Sequence, residues 1–76
     1  TRVAVFGALG RMGSTSVAAL NRAEGLDVVA EIDVDDPAQS AVDAQAEVAL
    51  IFSTPDAAIE QVKFCIDAGI HAVVGT

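Results

Sequence analysis

Tryptophan and tyrosine are absent from this 76-residue sequence, and three Phe are its only aromatic side chains. A core without large rings must close through small side chains. Ala, Val and Ile supply them, and 53% of the residues are hydrophobic, a composition that suits a tightly packed α/β core. Positive charge is scarce as well, with 4 Lys and Arg against 11 Asp and Glu and a net charge of −7. There is no basic patch, which excludes nucleic acid and anionic membranes as partners, and the acidic surplus keeps a small apolar domain soluble. The single cysteine, Cys65, has no partner within the chain and fits a reducing compartment. No apolar run approaches the ~20 residues of a membrane span, and no signal peptide is visible, so a cytoplasmic location is expected. No Ser/His/Asp set, no paired carboxylates and no Cys/His metal spacing stand out.

The length allows one small domain spanning 1–76. A chain of this size buries roughly 60% of its unfolded surface, which makes its stability marginal. The sequence starts without Met and stops at Gly75-Thr76, from which a truncated, excised or engineered segment is expected.

The elements alternate. Residues 2–6 are apolar at nearly every position, the mark of a parallel strand covered on both faces. A glycine loop, Gly7-Ala8-Leu9-Gly10-Arg11-Met12-Gly13, leads into a helix from Arg11 or Met12 to Ala23, with Met12, Ser16, Ala19, Leu20 and Ala23 as its buried stripe. Gly25 is its stop signal. Val28 to Ile32 form a second strand, followed by the acidic cluster Asp33, Asp35 and Asp36. Residues 37–45 read as a short helix or an irregular crossover. Ala46 to Phe52 form the third strand. Thr54 caps a third helix with Pro55 at its first position, and Ala58, Ile59, Val62, Cys65 and Ile66 form its buried face. Gly69 closes that helix, and 70–74 is the fourth strand. This alternation predicts a Rossmann-like, doubly wound parallel α/β sheet with helices on both faces. The usual dinucleotide-binding arrangement orders the strands 3-2-1-4, with a ligand crevice between the ends of strands 1 and 4 at Phe6-Gly7 and Val74-Gly75.

Strand, glycine turn and helix together are the setting in which a dinucleotide pyrophosphate binds. Glycines let the backbone approach the phosphates, and the helix start points free N–H groups at them. The spacing here is Gly-x-x-Gly-x-x-Gly, which alone is also that of an empty turn. The acid that should hold the adenosine ribose lies at the expected distance, since Asp33 follows Gly13 by 33 − 13 = 20 residues. Glu31 shares its strand face and is the second candidate. A carboxylate there repels the 2′-phosphate of NADP, which favours NADH, while Arg11 either offsets that repulsion or is a surface residue at a helix start. Ser53 and Thr54 flank the crevice. Phe52 reads as core, with a nicotinamide contact as the alternative. Cys65 reads as a small core residue, and His71 as a solvent-facing residue at the far end of the sheet.

These residues resemble one family. Val3 to Gly13, Ala30-Glu31-Ile32-Asp33, Phe52-Ser53-Thr54-Pro55-Asp56 and His71 to Thr76 are together similar to the amino-terminal cofactor domain of 4-hydroxy-tetrahydrodipicolinate (dihydrodipicolinate) reductase, of the actinobacterial type with a shortened crossover. The resemblance implies an NAD(P)H-dependent oxidoreductase of lysine and diaminopimelate synthesis, homotetrameric and cytoplasmic. It implies pyrophosphate binding by Gly7, Ala8, Leu9, Gly10, Arg11 and Met12, ribose binding by Asp33, and a nicotinamide flanked by Gly75 and Thr76, with Phe52 and Ser53 beside the site. Two departures stand out. The family has Asp-Phe-Thr where this chain has Ile51-Phe52-Ser53, and its catalytic His and Lys lie in a following domain. The segment alone is therefore expected to bind cofactor without turning over substrate. Inositol, sugar and homoserine dehydrogenases share the loop spacing and are the alternative families. A folding module without ligand is the alternative of another class. Strand 70–74, left as an apolar edge, is expected to pair with another copy.

Overall fold

A computed structural model describes residues 1–33 and 35–75. Four strands, β1 (Arg2–Phe6), β2 (Asp27–Ile32), β3 (Val48–Ile51) and β4 (His71–Val74), alternate with three helices, α1 (Arg11–Arg22), α2 (Gln39–Asp43) and α3 (Pro55–Ala68). All strand pairs are parallel. The doubly wound α/β architecture predicted from the alternation is therefore present, and the elements fall within two residues of their expected positions.

The strand order differs from the expected one. It is β2-β1-β3-β4, with β3 paired directly to β1 from Val3↔Val48 to Phe6↔Ile51. The reason lies in which face each helix covers. Val3, Val5 and Ala8 pack with Val17 and Leu20 of α1. Ala4 and Phe6 point the other way and pack with Ala41 of α2 and with Ala58 and Cys65 of α3. Parallel crossovers are right-handed. A connection on the face opposite α1 therefore carries the chain back over β1, and does not continue outward beyond β2. The third strand suits that central place. Ala49 and Ile51 are fully buried on the α2/α3 face while Leu50 packs on the α1 face. The point where the winding reverses is thus between β1 and β3, not between strands 1 and 4.

Two expected helix stripes also need correction. In α1 the inward positions are Gly13, Ser16, Val17 and Leu20, while Met12, Ala19 and Ala23 are exposed. Gly13 packs against the Gly7 carbonyl, so the inward face of the helix start falls at residue 13 and Met12 is left exposed. In α3, Ala58 and Cys65 are buried but Ile59 and Ile66 are 57% and 69% exposed. They lie on the flank beyond the last strand, where the sheet offers nothing to cover them. Thr54 does occupy the N-cap position of α3, yet its side chain makes no capping hydrogen bond. Gly25 has φ of +82°, but α1 already ends at Ala23 in extended conformation. Gly69 closes α3 in the left-handed conformation as expected.

The crossover through α2 has only five helical residues, and a basic side chain secures its end. Arg2 donates from Nη2 to the Ala44 carbonyl at 2.7 Å and from Nε to the Ala44 and Gln45 carbonyls at 3.1 Å. It thereby satisfies carbonyls that a helix C-terminus leaves free.

Candidate functional site at the carboxyl ends of the strands

The glycine loop is shaped by contacts that exclude side chains. Gly7 has φ of +75°, and a Cβ there would stand 2.7 Å from the Phe52 carbonyl oxygen. A Cβ on Gly13 would land on the carbonyl oxygen of Gly7 itself. The loop is therefore pressed between the end of β3 on one side and the first turn of α1 on the other. Gly10, the N-cap residue of α1, keeps an extended backbone. Its N–H donates to the Gly7 carbonyl at 3.1 Å, and its carbonyl accepts the first helical bond, from Ser14 N–H at 2.9 Å. The amides of Arg11, Met12 and Gly13 precede that bond and are the free donors of the helix start. They lie where the macrodipole is positive.

The end of β2 holds the loop from below. The amides of Gly7 and Ala8 both donate to the Ile32 carbonyl, at 2.7 and 3.3 Å, and the amide of Leu9 donates to Asp33 Oδ2 at 2.8 Å. Asp33 is itself fixed. Its N–H donates to Asp36 Oδ2 at 3.0 Å, and its carbonyl accepts from the Asp36 N–H at 2.9 Å.

Gly7, Gly10, Asp33, Phe52 and Ser53 line one cavity of about 330 Å³. Phe6, Ile32, Asp36, Ala38, Thr54, Ala57 and Gln61 complete its wall. It opens where β1, β2 and β3 end, at the reversal of the winding, the position at which open α/β sheets bind ligands. Ala8, Leu9, Arg11 and Met12 belong to the same loop but do not line the cavity. Ala8 is buried beneath it, while Leu9 and Met12 are 83% and 58% exposed. Glu31, the second acid considered, stays exposed on β2 and is not part of the wall. Gly75 also stands off the cavity, because β3 intervenes between β1 and β4. It meets the site indirectly, through the Phe52 ring, which a Cβ on Gly75 would approach to 2.5 Å. Thr76 lies outside the described residues. Phe52 packs with the α1-face core, as expected of a core residue, and also lines the cavity. Thr54, freed from capping, presents its residue to the same space.

Asp36, Ala38, Ala57 and Gln61 are wall residues that sequence reasoning missed. Asp36 reads as one acid among several until its bond to Asp33 is known. Gln61 sits on α3 between apolar positions, and its Oε1 is shielded from solvent without a hydrogen-bond partner. Only the tertiary structure, which brings Gln61 to the same cavity as Ala38, reveals it. Elsewhere, burial pushes the Cys65 thiol above its ordinary value of 9.0, which suits an inert core residue. His71 is exposed at the opposite end of the sheet, its N–H donating to the Glu47 carbonyl.

Residues 1–76 match the family described as dihydrodipicolinate reductase, N-terminus. The chain belongs to this family. That match decides against the inositol, sugar and homoserine dehydrogenases as its kin. Among similar relatives, the 4-hydroxy-tetrahydrodipicolinate reductase of Corynebacterium efficiens is 51% identical over 75 residues, that of Beutenbergia cavernae 53% and that of Mycolicibacterium gilvum 47%. Each alignment covers 99% of this chain and 30% or 31% of the relative, so the chain spans about a third of their length. A solved dihydrodipicolinate reductase from Paenisporosarcina sp. TG-14, bound to dipicolinate, superposes with a TM-score of 0.84 at 20% identity. It covers 99% of this chain and 37% of that one. At that identity the likeness concerns the fold alone, a Rossmann-like parallel sheet with helices packed against it. Among the described residues no helix is long and apolar enough to cross a membrane, and no group of three His, Cys, Asp or Glu could hold a metal.

Proposed function

We propose that this chain binds a nicotinamide dinucleotide as the cofactor-binding unit of a 4-hydroxy-tetrahydrodipicolinate reductase. One observation carries the reading. In a member of this family, a single cavity is walled by the glycine loop, by the carboxylate closing β2 and by the Phe52-Ser53 turn closing β3. The residues fit the group. The cradle under the loop excludes any Cβ at Gly13, and the free amides at the start of α1 suit a pyrophosphate. Asp33 suits a ribose diol. The cofactor supplies the hydride; the chain's own groups fix its orientation.

In this reading the loop from Gly7 to Met12 holds the pyrophosphate and Phe52 and Ser53 border the nicotinamide, with Gly75 acting on that side only through the Phe52 ring. A carboxylate at Asp33 favours NADH over NADPH, whose 2′-phosphate it would repel. The composition and the family's biosynthetic role are those of a cytoplasmic protein. Self-association is a further part of the proposal, supported by the exposed valines of β4. Titration with NADH and with NADPH tests the reading, followed by nicotinamide fluorescence and melting temperature. Enhanced emission and a raised melting point with NADH are expected, with a weaker response to NADPH. No change in either signal at millimolar cofactor would overturn it.

A further inference from the structure

We propose that Asp33 is a positioning residue for the phosphate loop, so that the group reading the ribose also sets the geometry of the turn beside it. This rests on the cavity being the dinucleotide site.

The bonds are ordered in a chain. Asp36 Oδ2 takes the N–H of Asp33, and Asp33 Oδ2 takes the N–H of Leu9. Leu9 is followed by Gly10, the N-cap of α1, after which come the three free amides. Gly7 and Ala8 are tied to the main chain of β2, through the Ile32 carbonyl. Leu9 is the first loop residue whose tie depends on a side chain. The Leu9 side chain is 83% exposed and offers no packing to hold the residue in its place. The carboxylate is thus what fixes the loop between Ala8 and the helix start. A bond from a backbone N–H to an ionised acceptor is among the stronger ones a side chain can make.

A consequence follows for cofactor choice. Removing the carboxylate to admit a 2′-phosphate also releases the Leu9 amide. NADPH would then gain at the ribose and lose at the pyrophosphate, so a replacement at residue 33 spares the loop only where it keeps a side-chain oxygen for Leu9.

The test compares the wild-type chain with Asp33→Ala and Asp33→Asn, using NADH and reduced nicotinamide mononucleotide, which has no adenosine ribose to touch residue 33. Amide hydrogen exchange at Leu9 is followed in the free proteins. D33A is expected to speed exchange at Leu9 at least tenfold and to weaken the mononucleotide about tenfold. D33N keeps a side-chain oxygen for Leu9, and is expected to hold mononucleotide affinity within about twofold while losing NADH affinity. Unchanged Leu9 exchange in a folded D33A chain overturns the inference, as does mononucleotide binding equal to wild type. A wild-type chain that ignores NADH defeats the functional reading instead, and the exchange measurement still decides the role of Asp33 in the loop.

Discussion

Gly13 shows how much of the site depends on the absence of a few atoms. A methyl group there meets the Gly7 carbonyl oxygen, which is backbone and cannot swing aside. Gly13→Ala should cost about 1–3 kcal/mol of stability, the usual cost of overpacking. It should also abolish cofactor-induced stabilisation, and thermal melts with and without NADH would show both losses. Cys65 gives a prediction in pH. Its thiol is fully buried and pushed above 9.0 by desolvation. The folded state therefore holds its proton where the unfolded state has already lost it. The associated stability is complete at neutral pH and declines as pH rises through and beyond the unfolded-state value. Denaturation midpoints between pH 7 and 10 should fall more steeply in the wild type than in Cys65→Ala, and thiol reagents should label the folded chain slowly. Equal slopes would show that the thiol ionises freely in the fold.

At the scale of elements, β3 shows why position 51 suits an apolar side chain. Ile51 is fully buried between β1 and β4 and belongs to the α2/α3-face core. No polar or charged residue is buried among the described ones, so a carboxylate at this position has no partner there. Ile51→Asp should destabilise the chain by at least about 3 kcal/mol, through lost packing and an unpaired buried acid. Ile51→Val should cost only about 1 kcal/mol. Urea denaturation of the two variants would test this, and near-equal midpoints would contradict it. Local signals placed the elements well because they are short-range. Pro55, Gly69 and the 2–6 apolar run act within a few residues of themselves. The buried stripes were read less well, since a helix face is inward only where a strand lies beneath it. Ile59 and Ile66 satisfy the spacing of a core face and still stand outside the sheet.

For the whole molecule, the sheet ends at β4 with its outer edge unpaired among the described residues. Val73 and Val74 are 53% and 47% exposed, beside an apolar groove lined by Pro55, Ala58, Ile59, Val62, Lys63 and Val74. Exposed apolar edges invite pairing with another chain. Sedimentation of the wild type at high concentration should show dimers or larger species, and Val73→Lys should return it to monomer. A monomeric wild type would sink the idea. The glycine loop, the distance from Gly13 to Asp33 and the βα alternation were all legible from the residues, because each depends on neighbours along the chain. With them came the fold class and five residues of the cavity wall, Gly7, Gly10, Asp33, Phe52 and Ser53. The strand order was not, because the residues of a crossover do not state which face it will cover. That was settled when Ala41 joined the same core cluster as Cys65, on the face opposite α1. The same choice put β3 between β1 and β4, moved Gly75 away from the cavity, and brought Ala38 and Gln61 into its wall. Local geometry made the phosphate loop; the direction of one right-handed crossover determined what stands around it.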